Sequence, residues 1–172
     1  RGYDVLLHHG NSPEAANTLA VELRRAHGCR IEVVQEDLAD VKAPARIVAA
    51  TMRAFEALDV VVSSASVMMT HSFDSVTPEE WEQTCAVNLR APFFLMQAAA
   101  RVMRDGGAIV QLSDHLAFEA IFPHLIPHQV TKSALTQLVR TTASAFAPRL
   151  RVNAVAPGLV LPPEELSEDT IA

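Results

Sequence analysis

The sequence predicts an α/β protein in which βαβ units surround a parallel sheet, and three observations carry that prediction. Short β-rich runs alternate with longer segments whose apolar residues recur every three or four positions. The run Leu58 to Val62 reads as a strand covered on both faces, as parallel strands are. With 49% apolar and 20% charged residues, a chain of 172 residues can bury one core, so residues 1–172 are expected to form a single domain.

Asp4 to His9 reads as the first strand. Ser12-Pro13-Glu14 then offers an N-cap, a proline in the first helical position and an acid in the first turn. The helix that starts there carries Ala16, Leu19, Ala20 and Leu23 on one face and stops at Gly28, where a left-handed residue closes a helix. A strand from Arg30 to Val34 leads through the polar turn Asp37-Leu38-Ala39-Asp40 to a helix from Pro44 to Ala57, and then to the strand ending at Val62. Thr77-Pro78-Glu79-Glu80 is a capping box opening a long helix, which Pro92 must kink or split because it lacks a backbone donor. Asp105-Gly106-Gly107 ends that helix. A strand from Ala108 to Leu112, an irregular stretch to Pro127, a helix from His128 to Phe146, a strand from Leu150 to Val155 and the turn Pro157-Gly158 follow. Leu161 to Ala172, with two prolines and four acids, reads as an exposed tail.

A formal charge of −6 without any run of five like charges offers no basic footprint for nucleic acid or an anionic membrane surface. No apolar stretch approaches the ~20 residues of a membrane helix and no signal-like segment opens the chain, so a cytoplasmic location is expected. Cys29 and Cys85 show no CxxC spacing and read as small apolar residues rather than disulfide or zinc partners. His124 and His128 are four apart, but Pro127 lies between them and no carboxylate or thiol completes a set, so no metal is expected. A serine hydrolase would need a G-x-S-x-G elbow, and none occurs.

Five signals fall in fixed order: the run from Asp59 to Ser66, Asn88 in Asn88-Leu89-Arg90-Ala91-Pro92-Phe93, the run from Gly107 to Asp114, Lys132-Ser133-Ala134-Leu135, and the run from Arg151 to Gly158. Together, over nearly the entire chain, they resemble the short-chain dehydrogenase/reductase family. The resemblance implies a Rossmann-type doubly wound parallel sheet that binds a nicotinamide dinucleotide at the carboxyl ends of its strands. It also implies an incomplete record, with the family's first strand and glycine-rich turn, about one βα unit of ~30 residues, missing in front and its last strand missing behind. Without that first strand the sheet would divide into a pair and a group of three.

In this family the catalytic tyrosine stands four residues before a lysine that holds the nicotinamide ribose. Lys132 matches the lysine, and His128 stands where the tyrosine belongs. The one tyrosine of the chain, Tyr3, is on another strand. Positions 128 and 132 share a helix face. An imidazole exchanges protons near neutral pH and could replace the phenol as donor; the alternative is that His128 merely starts the helix and the acid chemistry is lost. Asp114 occupies the position of the family's substrate-holding serine, with Ser113 beside it, and an aspartate there resembles the pteridine-reductase branch. Asn88 matches the residue that supports a water and backbone relay.

At the nucleotide end, Asn11 and Ser12 resemble that branch's phosphate-binding turn, and no acid follows the first strand to take a ribose hydroxyl. NADP is therefore expected over NAD. Asp37 and Leu38 match the family's adenine contact, Ser64, Ala65 and Ser66 replace its small-residue run against the cofactor, and Pro157 and Gly158 complete the cofactor set together with Lys132. The stripe Phe93-Phe94-Leu95-Met96 and the helix after Lys132 correspond to the family's subunit interface, implying a homodimer or homotetramer. The expected activity is NADP-dependent reduction of a carbonyl or imine in a small molecule, with pterin-like compounds among the candidates. The competing reading is a non-catalytic dinucleotide-binding or assembly homologue that has lost the tyrosine.

Overall fold

A computed structural model describes residues 2–119 and 122–158; the tail expected over 161–172 lies outside the described residues. Local signals set the elements. β1 (Val5–His9) leads into α1 (Pro13–His27), which begins on its proline and closes on Gly28 at φ 65°, whose N–H returns to the Arg24 carbonyl at 2.9 Å. Ser12 precedes the helix as expected, but its hydroxyl makes no cap; its carbonyl takes the Ala16 N–H at 3.0 Å instead. β2 (Ile31–Gln35), α2 (Ala43–Phe55) and β3 (Val60–Ser63) follow.

α3 (Pro78–Cys85) opens on the capping box: the Glu80 N–H donates to Thr77 Oγ1 at 3.2 Å and the Thr77 N–H to Glu80 Oε2 at 2.9 Å. Thr77→Ala should cost about 1 kcal/mol, read from the urea midpoint. Pro92 has no N–H for the carbonyl four residues back, that of Asn88. The ladder accordingly slips to five-residue spacing over Ala86–Arg90 before α4 (Ala91–Val102) resumes. β4 (Ala108–Leu112), α5 (Ile126–Phe146) and β5 (Arg151–Val155) are the remaining elements among the described residues, with 3₁₀ turns at Phe73–Ser75 and His115–Ala117.

All strand pairs among the described residues are parallel. β1 and β2 form one sheet with Val5 opposite Ile31; β3, β4 and β5 form another with Val60 opposite Ala108 and Ala108 opposite Arg151. The division into a pair and a group of three is the one expected. Alternation along the strands sends Val61, Ile109 and Val152 into a core closed by Val48 of α2, Met96, Ala99 and Ala100 of α4 and Val139 of α5.

One expectation is corrected here. The run ending at Val62 is covered on one face only: Val61 is buried, while Val60 and Val62 are 39% and 63% exposed, because the helices among the described residues pack on the other side of that sheet. The stripe on α4 divides likewise, with Met96 in the core and Phe93 on the surface. Among the described residues no helix is long and apolar enough to cross a membrane.

Candidate active site

The site collects where β4 ends, because a parallel strand of one face delivers its next residues to the sheet's carboxyl edge. Past Leu112, Ser113 and Asp114 turn to opposite sides. Ser113 is buried behind α5, its hydroxyl 2.8 Å from Thr136 Oγ1 and donating to the Lys132 carbonyl at 3.3 Å. Asp114 faces the other way, toward His128.

The slipped turn before Pro92 places Asn88, 1% exposed, between the loop after β3 and the start of α5. Its Nδ2 donates to the Val67 carbonyl at 2.8 Å and to Thr131 Oγ1 at 3.2 Å; its Oδ1 accepts from the Val67 N–H at 2.7 Å and the Ser66 hydroxyl at 3.3 Å. Every hydrogen-bonding position of the amide is engaged on at least one side. Asn88 thereby pins Val67, and Val67 in turn pins His128.

His128 sits in the first turn of α5, 3% exposed. Its Nδ1 donates to the Val67 carbonyl at 3.2 Å, and its Nε2 lies 3.1 Å from Asp114 Oδ2. A carbonyl only accepts, and so does an ionised carboxylate, so with Asp114 charged each ring nitrogen carries a proton. The Val67 carbonyl and the Asp114 carboxylate thus hold the ring from its two nitrogens.

Partial burial opposes ionisation of Asp114, but the Leu116 N–H at 3.0 Å, the hydrogen bond from His128 and the charges of His128 and His115 outweigh it and hold its carboxyl below the ordinary 3.8. A carboxyl lowered in the fold stabilises fully above its unfolded value and loses that contribution as pH falls through the folded one. Acid unfolding below about pH 4 should therefore be blunted in Asp114→Asn, as measured by comparing urea midpoints at about pH 5 and about pH 3 with those of the parent.

Lys132, one turn after His128, is 3% exposed, and Nζ donates to the Leu112 carbonyl at 2.8 Å. Burial lowers its pKa from the ordinary 10.5, and the Asp114 charge draws it partly back. An ammonium has three N–H bonds, and this is the one acceptor it meets among the described residues, so two remain for the hydroxyls of a sugar.

At the other expected positions, Asn11 and Ser12 are exposed at the N-terminus of α1, where first-turn N–H groups suit a phosphate. Asp37 is exposed, its carboxylate accepting the Ala39 N–H at 2.8 Å, and Leu38 is half-buried. Ser64 is exposed and Ala65 half-buried after β3, and the Pro157 carbonyl accepts the His115 N–H at 3.1 Å beside exposed Gly158. All of these follow the carboxyl end of a strand. The residues present fit a dinucleotide: a helix N-terminus for phosphate and a buried cation with unused donors for ribose. The structure thus brings Asn88, Asp114 and His128 into one hydrogen-bonded chain and sets Lys132 beside it, while Asn11, Ser12, Asp37 and Gly158 make no contact with that chain.

Three participants went unmarked in the sequence. Val67 contributes only main chain, which no side-chain pattern reveals. Thr131, three residues after His128, was findable as the next residue on the buried helix face. His115 lies beside Asp114 with no spacing signal of its own. Among the described residues no group of three or more His, Cys, Asp or Glu side chains is placed to hold a metal ion.

The family model described as enoyl-(acyl carrier protein) reductase matches residues 1–167. Versicolorin reductase 1 of Aspergillus parasiticus is 35% identical over 161 residues, covering 93% of this chain and 61% of the relative. L-rhamnose 1-dehydrogenase (NAD(P)(+)) of Azotobacter vinelandii is 36% identical over 169 residues, covering 93% of this chain and 64% of the relative. A short chain dehydrogenase from Burkholderia cenocepacia, crystallised in complex with NADP, superposes with a TM-score of 0.87 at 32% identity over 90% of this chain and 63% of that one. The chain therefore spans about three fifths of the length of the relatives it matches, 61% of the first. With the family model matching residues 1–167 and relatives above 30% identity, the chain belongs to the short-chain dehydrogenase/reductase family.

Proposed function

We propose that the protein is an NADP-dependent oxidoreductase that reduces a carbonyl or imine carbon of a small molecule, with His128 donating the proton in place of the family's tyrosine. The observation that carries this reading is the 3.1 Å contact between His128 Nε2 and Asp114 Oδ2, one helical turn from buried Lys132. When bound, the reduced nicotinamide supplies hydride. Lys132 would hold its ribose, Asn11 and Ser12 the 2′-phosphate, Asp37 and Leu38 the adenine, and Ser64, Ala65, Ser66, Pro157 and Gly158 would line the remainder. The complex of the Burkholderia cenocepacia relative with NADP supports that cofactor.

His128 gives its Nε2 proton to the substrate oxygen or nitrogen. Asp114 stabilises the charged ring before transfer and orients it, and Asn88 keeps Nδ1 occupied by fixing the Val67 carbonyl. The finer reading, a pterin-like imine, is supported by Asp114 at the end of β4 and by the Asn11-Ser12 turn. Residues 1–172 act as one dinucleotide-binding and catalytic domain. Exposed Phe93 and Val130 on α4 and α5 suit a homodimer or homotetramer, and unpaired Cys29 and Cys85 suit the reducing cytoplasm.

Fluorescence titration of the full chain with NADPH and NADH tests the reading. NADPH should bind about tenfold or more tighter, a difference of about 1.4 kcal/mol. Equal affinities would overturn the NADP preference, and binding of neither would overturn the reductase assignment.

A further inference from the structure

We propose that His115 is a positioning residue for the proton-donating pair, holding the Asp114 carboxylate against His128 and tying it to the turn at Pro157. The inference rests on the reductase reading above but stands on its own contacts. His115 opens the 3₁₀ turn His115–Ala117, and its Nδ1 lies 2.9 Å from Asp114 Oδ1 and 3.3 Å from the Pro157 carbonyl. The Pro157 carbonyl only accepts, so Nδ1 carries the proton and donates to it, which sets this edge of the ring against Asp114 Oδ1 as an electrostatic neighbour. Its main-chain N–H binds the same Pro157 carbonyl at 3.1 Å.

The two carboxylate oxygens of Asp114 have different partners. Oδ1 receives the Leu116 N–H and faces His115 Nδ1; Oδ2 faces His128 alone. When His128 turns its Nε2 proton to a substrate, Oδ2 loses its partner, and the anchor on Oδ1 keeps the carboxylate from rotating away. The imidazole then returns to the same acceptor after transfer. The charged or titratable groups around Asp114 are His115 on its own turn and His128 and Lys132 from α5, the last acting through space. From β5 and its turn comes only the Pro157 carbonyl. His115 is partly exposed, its side chain 38% accessible, and Nε2 has no hydrogen-bond partner among the described residues, so the ring's one structural link runs through Nδ1.

The test compares His115→Leu with His115→Asn in the full chain. Asparagine places an N–H close to the position of Nδ1 but does not titrate. The readouts are the carboxyl ¹³C titration of Asp114, the imidazole ¹⁵N shifts of His128, NADPH affinity and kcat for carbonyl reduction. His115→Leu should move the Asp114 titration upward, change the His128 shifts and lower kcat about tenfold, with NADPH affinity within about twofold. His115→Asn should recover kcat to within about threefold of the parent. An unmoved Asp114 titration and His128 spectrum in the leucine variant, or an asparagine variant as impaired as leucine, would overturn the proposal. If the parent reduces nothing with NADPH while the titration still responds to leucine and recovers with asparagine, the reductase reading falls and the hold of His115 on Asp114 stands.

Discussion

His128→Ala should lower kcat for NADPH-dependent carbonyl reduction by about 100- to 10,000-fold, the range a positioned general acid contributes, while NADPH affinity stays within about twofold. The asymmetry follows from where the side chain points. His128 reaches Asp114 and Val67, whereas the donors suited to the dinucleotide come from Lys132 and from the N-terminus of α1. Stopped-flow or steady-state measurement of hydride transfer, beside a binding titration, separates the two. A variant that keeps parental turnover would remove His128 from the chemistry. His128→Tyr resolves the remaining question: a large gain would mark the histidine as an impaired replacement for the phenol, and a loss would mark it as the evolved acid. The tyrosine also leaves Asp114 Oδ2 without its imidazole partner, so a gain requires the phenol to work from a pocket shaped around a charged pair.

The second large effect is on stability. Asn88→Ala should cost about 2–4 kcal/mol in urea unfolding, several times the loss from the exposed Thr77 cap. The Val67 N–H depends on Asn88 Oδ1 and has no other acceptor among the described residues, so its loss leaves a donor unpaired. The Val67 carbonyl keeps His128 and Thr131 keeps the Pro127 and His128 carbonyls, so those groups suffer less. Turnover should fall as well, because an untethered Val67 no longer fixes His128 Nδ1. A loss below about 0.5 kcal/mol would show that Asn88 is not the pin of this site.

Much of the architecture is legible in the sequence. The capping box at Thr77, the left-handed Gly28 and the interruption before Pro92 are rules about neighbours within four residues, and each held. The separation of β1–β2 from β3–β5 was what the resemblance to the family implied. Ser12 shows where such rules stop: the residue type suits a cap, but at φ −122° and ψ 62° its hydroxyl makes no cap hydrogen bond. Val60 and Val62 show another limit, since an apolar run reads as buried whether or not something covers both its faces.

The candidate site divides along the same line. The resemblance to the family singled out Asn88, His128 and Lys132, and helical spacing put the last two on one helix face, because helical geometry is local. The same resemblance named Asp114 rather than its neighbour Ser113, but the contact of Asp114 with His128 and the parts played by Val67 and His115 were not determined that way. Those contacts join residues 14, 61 and 42 positions apart, from Asp114 to His128, Val67 to His128 and His115 to Pro157. Their geometry depends on how β4, β5 and α5 pack and on where the slipped turn sets Asn88. Periodicity and sterics act within a turn or two of chain; the pairing of charges and carbonyls across the fold is set by packing, which only the folded chain contains.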